Sequence, residues 1–132
     1  MKALDTNVVV RFLVKDDAGQ TRQVYKLFKQ AENDQQRLFV PILVVLETIW
    51  VLQAVYDEKD LDILAALSDL LLMPVLLFEA QSVLHTFIEA AKGSNFDLAD
   101  LLISHSARGQ QCETVLTFDK KAAKFAGFEL IN

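Results

Sequence analysis

The chain has 132 residues and a hydrophobic fraction of 52%, a length that suits one domain burying about two-thirds of its unfolded surface. A formal net charge of −5 argues against holding nucleic acid by bulk charge alone, though a local basic patch stays open. Cys112 is the only cysteine, which excludes a disulfide framework and a cysteine-rich metal site. The N-terminal MKALDTN has no signal-peptide apolar region, and no apolar run reaches the roughly 18 residues of a membrane span. A soluble, cytoplasmic, single-domain protein spanning residues 1–132 is expected.

In chain order, Lys2–Leu4 is a short strand candidate ending at Asp5. Val8, Val9, Phe12 and Leu13 suit one face of a helix over Thr6–Lys15, weakened by the β-branched run at 8–10. Asp16 and Asp17 can cap the next helix, which runs to about Glu32 with Val24, Leu27, Phe28 and Ala31 at helical spacing. Leu38–Val40 is a second strand. Pro41 suits the first turn of a helix reaching about Tyr56. Asp60 is read as the cap of a helix carried by Leu61, Leu64, Leu67 and Leu71 and ended by Pro74. Val75–Phe78 is the third strand. Leu84, Phe87, Ile88 and Ala91 carry a helix that Gly93 stops. Asp97 opens a helix lasting to about Arg108, followed by Gly109. Thr114–Leu116 is the fourth strand, Asp119–Ala126 a last short helix and Glu129–Ile131 a fifth strand. Short apolar strands alternating with helices predict an α/β fold with a mostly parallel sheet.

The stretch PILVVLETIW at 41–50 places Glu47 among large apolar side chains. An unpaired buried carboxylate costs several kcal/mol, so Glu47 faces solvent, has a partner, or has a task. Other acids fall near strand ends: Asp5 after the first strand and Asp119 after the fourth. Asp97 and Asp100 open the helix before the fourth strand. Sites in open α/β sheets form outside the carboxyl ends of strands, so Asp5 and Asp119 are expected on one edge. Each has a structural reading too. Asp5 and Asp119 suit helix caps, and Asp97 with Asp100 resembles a capping box. Glu47 is too deep in its helix to be a cap.

LDTN at 4–7, ETIW at 47–50, DLADLLISHSA at 97–107 and LTFD at 116–119 resemble the PIN-domain ribonucleases, including the VapC-type toxins of bacterial toxin–antitoxin pairs. The resemblance covers nearly the whole chain in the family's motif order. It implies a three-layer α/β/α sandwich around a central, mostly parallel sheet of four to five strands. It also implies catalytic, metal-binding roles for Asp5, Glu47, Asp100 and Asp119. Asn7 matches a polar residue that steadies the first acid, Thr117 matches a hydroxyl near the fourth, and Asp97 is accessory. Asp97 and Asp100 lie one helical turn apart, so either could ligate metal; the apolar residues after Asp100 favour it.

Clustered carboxylates are hard oxygen ligands suited to Mg²⁺ or Mn²⁺. Two of them about 4 Å apart repel by roughly 4 kcal/mol at an effective dielectric near 20, and a divalent ion relieves this. Glu47 is therefore expected to be buried because it faces metal and its waters. The implied activity is endonucleolytic cleavage of RNA to a 5′-phosphate and a 3′-hydroxyl. The implied partners are a small antitoxin and a second copy of the chain. A haloacid-dehalogenase-like phosphatase needs a second Asp two residues after the first, where this chain has Asn7. A PIN-like module that only binds RNA or protein is the other alternative. Lys120, Lys121, Lys124, Arg11 and Lys15 are read first as solvated charges, and His85 and His105 as surface or packing residues.

Overall fold

In the computed structural model, which describes residues 1–132, five short strands alternate with six α-helices. The chain divides into two compact units, residues 1–81 and 82–132.

The first unit contains β1 (Lys2–Ala3), α1 (Thr6–Leu13), α2 (Ala18–Asn33), β2 (Leu38–Val40), α3 (Ile42–Ala54), α4 (Asp60–Leu71) and β3 (Leu76–Phe78). Its strands are all parallel with β2 in the centre, Leu38 pairing with Lys2 on one side and Leu76 on the other. Parallel neighbours need crossovers, which the helices provide. The alternating strand residues Leu38, Val40, Leu76 and Phe78 are buried, as are Val9 and Val10 of α1. Ile49 and Leu52 of α3 and Ile63 of α4 are fully sequestered, each stabilising the fold by about 1.5–3 kcal/mol. Asp17 caps α2, its carboxylate accepting from the Gln20 N–H at 3.0 Å. Asp16 instead pairs with Arg11 at 2.6 Å. α1 stops two residues before the expected Lys15, because Val14 turns extended while its N–H still reaches the Val10 carbonyl. Lys59, not Asp60, is the N-cap of α4. Asp60 lies in its first turn, where a carboxylate still complements the helix dipole.

The second unit is built from α5 (Gln81–Lys92), whose first residue belongs to the preceding unit, α6 (Leu98–Gly109), β4 (Val115–Thr117) and β5 (Phe128–Leu130). Leu84, Phe87, Ile88 and Ala91 of α5 are buried, as their spacing predicts. A Cβ added to Gly109 would lie 2.6 Å from Val83 Cγ2, so the end of α6 meets α5 where only glycine fits. β4 and β5 pair in parallel, Val115 with Phe128 and Thr117 with Leu130.

The α/β fold with five parallel strands is as expected, the strands forming ladders of three and of two. β1 has only two residues and pairs with β2 alone. The helix expected over Asp119–Ala126 shrinks to a 3₁₀ turn at Ala122–Lys124. Phe125 is drawn into extended backbone there. Its ring stacks on Phe96 at 3.4 Å between centroids, and Phe128 meets Phe96 edge-on at 5.7 Å. That aromatic packing outweighs the helical preference of the five-residue alanine and lysine run at 120–124.

Candidate active site

Asp5 stands where β1 ends and α1 begins. The β ladder continues through Leu4, whose N–H donates to the Phe39 carbonyl at 2.8 Å, and Asp5 then serves as the N-cap of α1. Its carboxylate accepts from the Thr6 backbone N–H at 2.8 Å. The Thr6 hydroxyl donates to Glu47 Oε1. Thr6 thus contacts two carboxylates that lie 42 positions apart, one by its backbone and one by its side chain. It is itself only 5% exposed, so the pair of contacts is held by packing of α1.

The expectation that Glu47 is buried is corrected: the residue is exposed. α3 is not apolar to the core on every side. Val45, Thr48, Ile49 and Leu52 face inward, while Leu43, Glu47, Trp50 and Ala54 share an exposed face. Glu47 therefore has both solvent access and a hydrogen-bond partner, and the desolvation cost anticipated for it does not arise.

In the second unit, Asp97 caps α6 and its carboxylate accepts from the Asp100 N–H at 3.0 Å. Asp100 sits in the first helical turn and is half-buried. Burial pushes its carboxyl above the usual carboxylate range, and the negative charges of Asp97 and Asp119 push it further. Asp119 follows β4. The Thr117 hydroxyl accepts from the Asp119 N–H at 3.0 Å, and Asp119 Oδ1 accepts from the Lys121 N–H at 2.8 Å. Capping does not use up the carboxylates of Asp5, Asp97 and Asp119: each oxygen in a cap leaves lone pairs for another partner.

Within neither unit do three or more His, Cys, Asp or Glu side chains gather closely enough to form a metal cage alone. Asp100 feels the charges of Asp97 and Asp119 because charge acts over a longer range than a ligand bond.

Asn7 is exposed and lines a surface cavity of about 270 Å³ with Arg11 and Gln20; the hydrogen bond that steadies Asp5 comes from Thr6. Thr6 was not singled out from the sequence. A hydroxyl residue in the first turn after an acid, on a helix otherwise apolar on that side, is the signal that could have marked it. Arg11 is engaged by Asp16, Gln20 and Tyr56, which makes it a tie between α1, α2 and the turn after α3. His105 is buried beside Phe87, and burial, then Arg108, lowers its pKa. No helix is long and apolar enough to cross a membrane.

The family model for the PIN domain matches residues 2–128. The chain is also 24% identical to a VapC ribonuclease of Aquifex aeolicus (strain VF5), over all of this chain and 96% of that protein. With parallel strands alternating with helices and a match running through both units, the chain belongs to the PIN-domain family.

Proposed function

We propose that this protein is a metal-dependent endoribonuclease and the toxin of a toxin–antitoxin pair, cleaving RNA to a 5′-phosphate and a 3′-hydroxyl. One observation carries most of the weight: Thr6 contacts both Asp5 and Glu47, two acids that a helix cap and a core helix have no structural reason to share. The similarity to a VapC ribonuclease along the whole chain supports the same reading.

The donor set fits a hard divalent cation, since every candidate ligand is a carboxylate and Cys112 is the only cysteine. The mutual repulsion at Asp100 also favours positive charge near it. Asp5, Glu47, Asp100 and Asp119 would hold Mg²⁺ or Mn²⁺, with Asp97 and Thr117 accessory. Such an ion supplies Lewis-acid charge for the scissile phosphate and for activating water. The protein's own share is positional. Thr6 orients Asp5 and Glu47, and Thr117 fixes the backbone of Asp119. A small antitoxin, a homodimer and a cytoplasmic setting complete the proposal.

The test is cleavage of a mixed RNA pool with Mg²⁺, Mn²⁺ or EDTA, by wild type and by Asp5→Asn. Metal-dependent cutting lost in the variant is the expected result. A folded protein that neither cuts RNA nor binds Mn²⁺ would instead be a PIN-like interaction module.

A further inference from the structure

The turn that follows β4 carries a largely exposed aromatic ring that joins none of the fold's aromatic pairs. Phe118 is 79% exposed, and Leu116 before it is 63% exposed. Water contact on that scale forgoes the burial that drives folding. An aromatic cluster lies close by in sequence, yet Phe96, Phe125 and Phe128 form it without Phe118. Lys120, Lys121 and Lys124 follow and are all exposed. The ion pairs of the chain are Arg11–Asp16 and Lys92–Glu89, so these three ammonium groups are free. An exposed ring beside unpaired cations is the composition of a single-strand stacking platform: bases lie on the ring and phosphates meet the charges.

We propose that Phe118 is a base-stacking residue that positions single-stranded RNA beside Asp119, with Lys120 and Lys121 holding the adjoining phosphates. This rests on the ribonuclease reading and adds to it how the substrate is gripped. A protein partner fits the patch less well. Glu129 pairs with Leu116 across the ladder and is exposed there, and protein interfaces deplete their centres of such charges. A stacked nucleobase leaves a neighbouring carboxylate in water. Net charge of −5 also makes a local grip necessary, since the protein as a whole repels RNA.

The experiment is anisotropy of a labelled ten-nucleotide single-stranded RNA, in EDTA, with wild type, Phe118→Ala, Phe118→Leu and Phe118→Tyr. The side chain is exposed, so all four are expected to fold. Ala and Leu should weaken binding about tenfold while Tyr retains it. In Mg²⁺, Phe118→Ala should raise KM and keep kcat. Duplex RNA, whose bases are already stacked, should be indifferent to the substitution. Unchanged binding by Phe118→Ala overturns the proposal. So does full rescue by Leu, which would make the side chain a mere apolar contact. Loss of self-association in Phe118→Ala with RNA affinity intact overturns it in favour of a protein interface. Because binding is read without metal, a wild-type chain that binds but never cuts defeats the nuclease reading and leaves the stacking result standing.

Discussion

The acids of the two units are held in different ways. In the first unit Asp5 and Glu47 are tied by neutral donors, both supplied by Thr6. In the second, burial and the charges of Asp97 and Asp119 raise Asp100 above the ordinary range. One region spends its hydrogen bonds on orientation; the other holds repulsion that a cation would relieve. If both kinds of acid serve one reaction, removing either charge should be severe. Changing a residue that only supports a metal ligand costs about 10–100-fold, so Asp5→Asn and Asp100→Asn should each lose at least about a hundredfold in single-turnover RNA cleavage. An Asp100→Asn protein that cuts at the wild-type rate would break the comparison and leave the first unit's pair to act without it.

The next largest effect separates orientation from charge. Thr6→Val keeps the backbone N–H that Asp5 uses and removes the hydroxyl that Glu47 uses. Cleavage should fall about 10–100-fold, and Thr6→Ser should restore most of it. Denaturant unfolding should show a loss of no more than about 1 kcal/mol for the valine variant, because the exposed Glu47 regains water when the hydroxyl is removed. Equal activity in Thr6→Val would reduce the shared contact to a helix tie.

Much of this was legible in the sequence where residues act locally. The caps at Asp5, Asp17 and Asp97 follow from short polar side chains before apolar periodic runs; Asp17 and Asp97 accept the N–H three residues on, as a cap does, while Asp5 accepts that of the next residue, Thr6. The α5 core follows from spacing alone. What stayed hidden depends on partners distant in the chain. Periodicity could not tell that the outward face of α3 carries Leu43 and Trp50 beside Glu47, because those side chains are as apolar as the inward ones. Nothing in AAKFAGF announced that Phe125 would leave a helix to stack on Phe96. The Thr6–Glu47 bond likewise joins positions that only the fold brings together.

The smallest effect tests the repulsion itself. A carboxyl whose folded pKa is raised keeps its proton at a pH where the unfolded chain has already released it. The folded state then binds more protons, so stability falls as pH rises through the ordinary carboxylate range and on through Asp100's higher folded value. At neutral pH the charge of Asp100 is a standing cost, and below the ordinary carboxylate range it is absent. In EDTA and low salt, Asp100→Asn should therefore melt above wild type at pH 7, by no more than about 3 °C given its partial exposure. The gap should close as the pH is lowered below the ordinary carboxylate range. Adding salt should narrow it at pH 7, because the charges of Asp97 and Asp119 act through solvent-accessible space. Adding Mn²⁺ should reverse the order, since an ion bound to the folded state raises the wild-type Tm by mass action and finds one ligand fewer in the variant. A reversal by Mn²⁺ without the low-salt gap would leave Asp100 a ligand but not a strained one. The gap without reversal would leave strain with no metal to relieve it, and would set the second unit's acids apart from the proposed chemistry.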